Sequence, residues 1–138
     1  MTAKEYLGKA YRIDQRINSK LEQVASLREL ATKATSTLSD APKSASPNIQ
    51  PMEGIIAKII DLESEINRDI DALVDMKREI VGIIKGIQNP EYQTLLELRY
   101  LCFHPWEQIA VEMEYDLRYI YKMHGRALEE CAVPSEQD

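Results

Sequence analysis

Glycine is scarce in this chain, five residues in 138, and there is a single phenylalanine. No segment alternates apolar and polar residues convincingly with the period of a strand, while Leu, Ile, Glu, Lys and Arg are abundant, so sheets are excluded and an all-α class remains. Cysteine is nearly absent. Cys102 and Cys131 lack a CxxC relation and fall in apolar helical patterns, so they read as small buried hydrophobes. No basic, apolar, small-residue leader precedes the first helix. Together these lead to the expectation of a reduced, cytoplasmic protein. Long apolar runs are missing as well, because Asp, Glu, Lys or Arg interrupts each one before the ~20 residues needed to span a bilayer. No membrane partner is expected.

The means for chemistry are equally thin. His104 and His124 are the only histidines, and neither has a Cys, Asp or Glu at a recognisable metal spacing, so both read as packing residues. There is no phosphate-cradling glycine loop, no nucleophile beside a base and no carboxylate pair that spacing separates from surface charge. Neither an enzyme nor a cofactor is expected. Cations are short where a nucleic-acid site would want them: of the formal charge of −6, residues 1–89 carry 13 cations and 13 anions, whereas residues 90–138 carry 4 and 10. Phosphate contacts come mostly from Lys and Arg, so any such site must be local.

At this length the chain is one domain, or a small domain plus an extension, and can build a core without disulfides or metals. What it has in quantity is heptad periodicity. Thr2 and Glu5 stand in the capping-box spacing, which predicts a helix start. Sevens from Ala3 reach Ala10, Ile17, Val24, Ala31 and Leu38, and from Tyr6 reach Ile13, Lys20, Leu27 and Ala34, a seam with one polar interruption. "SDAPKSASPNIQP", residues 39–51, holds three prolines and predicts a loop, since proline lacks a donor and clashes with the preceding turn. A second, stronger seam follows at Met52, Ile59, Ile66, Leu73, Ile80 and Ile87, with Ile55, Leu62, Asp69, Met76 and Ile83 as its companion row.

Both helices would run about 37 residues, roughly 55 Å, so folding back at the loop would align them as an antiparallel coiled-coil hairpin. Heptads alone leave open that each stripe meets another chain, and a homodimer through the hairpin is compatible with either arrangement. Gly82 and Gly86 weaken the end of the second helix, and Asn89 followed by Pro90 reads as cap and first helical residue. The expected organisation is a hairpin over residues 1–89, a compact three-helix domain over 90–132 and a flexible tail over 133–138.

"NPEYQTLLELRYL" places Leu95, Leu98 and Leu101 on one helical face. "CFHP" ends that helix, and "WEQIAVEM" predicts a second that buries Trp106, Ile109, Ala110 and Met113, with Trp106 as its anchor. "EYD" then makes a tight turn with Asp116 as the cap of a third helix, Leu117 to about Cys131. Two helices joined by a three-residue turn, the second bearing cations, is the helix-turn-helix pattern. On the third helix Ile120, Met123, His124, Ala127 and Cys131 share one side, and Arg118, Lys122, Gly125 and Glu129 the other. Arg126 and Tyr121 flank that outer face. Lys9, Arg12, Arg16 and Lys20 make another basic row on the first helix, which reads as coiled-coil flanking charge paired with the acid-rich second helix.

"WEQIAVEMEYDLRYIYKMHGRALEE" resembles region 4 of bacterial sigma-70 factors, the likeness running from "LLELRYL" to Leu128. With a long helical half in front, the chain resembles small phage and prophage proteins of Gram-positive bacteria that carry a sigma-region-4-like C-terminus. The resemblance implies Asp116 as cap, Leu117, Arg118, Tyr121 and Lys122 as DNA-facing residues, and Arg126 near the DNA backbone. Three positions depart from the pattern: Leu117 and Arg118 stand where Arg and Glu are usual, and Glu114 occupies the turn position that suits Gly. The function implied is a sequence-specific DNA-binding transcriptional regulator of phage or prophage origin, with double-stranded DNA, RNA polymerase and a second copy as candidate partners. Its rivals are an RNA polymerase or sigma interaction protein without specific DNA binding, and a DNA-packaging protein of the small-terminase kind.

Overall fold

The computed structural model of the chain describes residues 1–40 and 49–134, and within these all side chains except those of residues 37–40 and 49–51. The fold is all-α. Among the described residues there are six helices and no strand: α1 (Ala3–Leu7), α2 (Lys9–Asp40), α3 (Ile49–Lys85), α4 (Pro90–Tyr100), α5 (Trp106–Met113) and α6 (Leu117–Glu129). None is long and apolar enough to cross a membrane. The chain divides into two compact units, Asp14–Asp71 and Met1–Ile13 with Ala72–Asp138.

In Asp14–Asp71 the two expected seams meet. Ile17 and Val24 of α2 and Leu62, Ile66 and Asp69 of α3 are buried, each at a heptad position. Arg16 pairs with Asp69 at 3.2 Å, Lys20 with Glu65 at 3.8 Å and Arg28 with Glu63 at 3.0 Å. Partner numbers fall as α2 numbers rise, so the helices are antiparallel and the hairpin closes within one chain. Not all of the loop expected at 39–51 is loop. Ser39 and Asp40 still belong to α2 and Pro51 lies in the first turn of α3, where its missing N–H would lack a partner anyway; residues 41–48 lie outside the described residues.

The unit of Met1–Ile13 and Ala72–Asp138 has a different composition from the domain expected over 90–132. Ile80, Ile84 and Ile87 share one core with Leu7 and Ala10, with Leu96 and Tyr100 of α4 and with Ala127 of α6. A boundary near residue 89 therefore falls inside this unit. Asn89 and Pro90 form a corner within it: the Asn89 side chain accepts from the N–H groups of Glu91 and Tyr92, with Pro90 opening α4. Gln93 turns back on the end of α3, its Nε2 donating to the Ile87 carbonyl of the corner at 2.6 Å and to the Ile84 carbonyl at 3.4 Å, the latter one of the oxygens that helix ends leave free.

At the N-terminus the Thr2 hydroxyl accepts from the Glu5 N–H at 3.1 Å, one half of the expected capping box. The expected single first helix is interrupted at Gly8, which ends α1 and donates to the carbonyls of Lys4 and Tyr6. Val133 packs against the core cluster, so the expected tail is anchored at its first residue; residues 135–138 lie outside the described residues. Cys102 is exposed, contrary to the expectation for both cysteines, because it sits in the turn that ends α4.

Candidate nucleic-acid interface

α4, α5 and α6 pack on one another around Leu95, Ile109, Ala110, Ile120 and Met123. Leu95, Ile109 and Ile120 are fully buried, and each contributes roughly 2 kcal/mol by leaving water. Trp106 joins this cluster half-buried. The Arg99 guanidinium lies 4.3 Å over its ring, and the rings of His124 and Tyr121 meet it edge-on at 4.5 and 5.6 Å. Arg99 also donates to the His104 carbonyl at 3.1 Å. One side chain thus ties the "CFHP" connection to the aromatic face of α5.

The turn between α5 and α6 is three residues long and specified at each position. Glu114 takes φ 60, ψ 42, a left-handed conformation costing a non-glycine residue about 1 kcal/mol. The Tyr115 N–H donates to the Ala110 carbonyl at 3.1 Å, and the Tyr115 hydroxyl donates to the Glu91 carboxylate at the start of α4. That bond raises the Tyr115 pKa above its ordinary value. Asp116 caps α6, its carboxylate accepting from the Tyr119 N–H at 2.8 Å, where the positive end of the helix favours an anion.

α6 divides as its sequence predicts. Ile120, Met123, His124 and Ala127 are buried, while Arg118, Tyr121, Lys122, Gly125, Arg126 and Glu129 are exposed. Four of the five residues singled out from sequence therefore stand on the open side of one helix. Arg118, Lys122 and Arg126 form no hydrogen bond or ion pair with a described residue, and they span about 12 Å of helix. The fifth, Leu117, is half-buried and packs against the core cluster instead, because the first helical residue after the turn points back toward α4 and α5. The other basic row is largely spent within the chain: Arg16 and Lys20 are paired with acids of α3, and Lys9 lies 4.7 Å over the Tyr6 ring, while Arg12 is exposed and pairs with no described residue.

Sequence reasoning passed over Tyr119, which is exposed and whose ring lies 4.7 Å from that of Tyr115. The four-residue spacing of these two tyrosines was the available signal. The histidines also acquire partners: His104 Nδ1 lies 3.1 Å from Glu112, and His124 Nε2 lies 2.6 Å from the Tyr100 hydroxyl inside the core. Burial is the main cause of a His124 pKa lowered to about 4 and of a Tyr100 pKa raised to about 12. The pair is neutral at pH 7, fastening α6 to α4 without placing charge beneath the exposed cations. Compared with protein-family models, with curated proteins and with solved structures, the chain matches none.

Proposed function

We propose that this chain is a DNA-binding transcriptional regulator that uses α5, the Glu114–Asp116 turn and α6 as a helix-turn-helix, with α6 entering the major groove of duplex DNA. The observation that carries the reading is the contrast between the two basic rows. Arg16 and Lys20 are neutralised by acids of α3, whereas Arg118, Lys122 and Arg126 are exposed on a capped helix and unpaired by any described residue. Cations left open in an otherwise acidic half of the chain have a use if a phosphate backbone supplies the counter-charge. Arg118, in the first turn of α6, would approach base edges, with Lys122 and Arg126 on phosphates and the Tyr121 hydroxyl reaching either. Leu117 holds the helix to its core.

Duplex binding measured against salt tests this. Three phosphate neutralisations give a log–log slope of roughly −2.7, and Lys122→Ala should lower its magnitude by about 1. Arg118→Ala should relax the preference among duplexes selected from a random pool, worth about 1 to 3 kcal/mol if its contact is bidentate. Absence of duplex binding above background at low salt overturns the proposal. A second reading, docking on RNA polymerase or a sigma subunit, is favoured by the exposure of Val111 at 77%, of Tyr115 at 37% and of Tyr119 at 39%. It predicts that Tyr119→Ser abolishes co-purification with polymerase while leaving duplex binding as it was.

A further inference from the structure

Within Asp14–Asp71 the two flanks of α3 differ. On one side of the buried seam stand Lys58, Asp61, Glu65 and Arg68, all charged. On the other stand Ile56, Ile60, Glu63, Asn67 and Ile70, with Ile56 48%, Ile60 60% and Ile70 42% exposed. These five recur at spacings of four, three, four and three, the spacing of a coiled-coil seam. α3 therefore carries a second seam, one residue out of register with the one that closes the hairpin. α2 extends the same surface: Leu21, 49% exposed, lines with Ala25, Arg28, Glu63 and Asn67 a groove of about 620 Å³ between the two helices.

We infer that this face is a homodimer interface, formed by a second copy of the hairpin lying antiparallel across the first, about a two-fold axis that passes at the level of residue 65. The row itself selects the occupant. Read outward from residue 65, Glu63 and Asn67 are equidistant from the centre, and so are Ile60 and Ile70. A two-fold axis perpendicular to α3 sets Ile60 of one copy on Ile70 of the other and Glu63 on Asn67, each contact occurring twice, which is the self-complementarity an isologous interface requires. On α2 the same operation brings Leu21 near Ala25. Charge agrees with the arrangement: Glu63 is bound on its own chain by Arg28 at 3.0 Å, so no lone carboxylate enters the interface, and Asn67 offers an amide to it. Two helices about 10 Å wide over the 15 residue levels from Ile56 to Ile70 present a footprint of roughly 450 Å², below the ~800 Å² per partner of a standard complex, which fits a reversible dimer that forms at the higher concentrations. The inference is independent of whether α6 meets DNA.

Sedimentation equilibrium of the full chain, from low micromolar to submillimolar concentration, tests it. The expected species is twice the 15.8 kDa chain. Ile60→Glu with Ile70→Glu should raise the dissociation constant by roughly 100-fold or more, and because both side chains are already exposed, the helicity of the diluted protein should be unchanged. The register has its own test. Asn67→Lys places a cation on the partner's Glu63 and should tighten the dimer, whereas Asn67→Glu places like charges there and should loosen it, by roughly 2- to 30-fold each. A monomer at submillimolar concentration, with or without another protein captured on the face, overturns the inference. So does a larger oligomer, a double variant that dimerises like wild type, or Asn67 variants that shift in the same direction.

Discussion

His124 should make the stability of its unit depend on pH between about 6.5 and 4. Its ring is 7% exposed, its Nε2 is engaged by the Tyr100 hydroxyl, and burial with help from Lys4 and Arg99 lowers its pKa from 6.5 to about 4. The unfolded chain then binds a proton at a higher pH than the folded chain does. The stability associated with a neutral His124 is present above pH 6.5 and is lost as pH falls from there toward 4. The displacement corresponds to about 3 kcal/mol in full. Wild type should lose about 1 kcal/mol by pH 5.5 and about 2 kcal/mol by pH 4.5, relative to neutral pH.

The assay is urea denaturation followed by the fluorescence of Trp106, the only tryptophan and a direct neighbour of the His124 ring. His124→Gln is the reference, since it keeps an acceptor near Tyr100 and does not titrate. At pH 4.5 the wild-type midpoint should have fallen by about 1 M urea more than that of the variant. Asp69, whose pKa is lowered chiefly by its hydrogen bond from Lys20, loses its contribution only below the ordinary carboxylate range, beneath this window. Equal losses in wild type and His124→Gln between pH 6.5 and 4.5 would refute the argument, because the ring would then titrate folded as it does unfolded.

Three further outcomes are expected. Ile66→Asp should cost about 3 to 5 kcal/mol in thermal unfolding followed by circular dichroism, since Ile66 is buried in the hairpin seam and a carboxylate there has no partner; an unchanged midpoint would mean the seam is not closed. Glu114→Gly should stabilise by about 0.5 kcal/mol, the relief of left-handed strain less the added freedom of the unfolded chain, and a loss of stability would show that Glu114 is not strained. Lys20→Leu alone should cost about 1 to 3 kcal/mol, since Asp69 loses its 2.6 Å contact and keeps only Arg16 at 3.2 Å, while Lys20→Leu with Asp69→Leu should recover most of it; a double variant as weak as the single would refute the pairing.

The heptads made the hairpin legible because burial at every third and fourth residue is a local property of sequence. Lys20 and Asp69, each a polar intrusion in its own seam, could be seen separately, and their meeting follows once the helices run antiparallel. α6 was legible for a similar reason: one strongly two-sided helix, a cap at Asp116 and a short turn. The division of the chain was not, because Asn89 and Pro90 mark the end of a helix and carry no information about what packs across that corner. The packing of Leu117 against the core was not legible either, because a motif position does not say which way the first helical residue points. Phe103 gave no warning of its φ of 60; what holds it there is long-range, an edge contact with Tyr11 at 5.5 Å and a cation from Lys77 at 4.9 Å.

The Lys20–Asp69 pair also bears on why this hairpin adopts one register. With apolar residues throughout, seams of this regularity could slide by a heptad and still bury carbon against carbon. A slide of seven residues would set Lys20 beside Leu62 in one direction, or Asp69 beside Leu27 in the other, and either parts the two ions within a dry seam, where an unpaired charge costs several kcal/mol. In the native register their contact is 2.6 Å, with Lys20 also 3.8 Å from Glu65 and Arg16 3.2 Å from Asp69. The pair is a poor source of stability compared with two leucines, yet it makes the alternatives worse. Alignment matters to the outer seam as well, since Ile60, Glu63, Asn67 and Ile70 combine with Leu21 and Ala25 into one surface only when α2 and α3 are held at this offset.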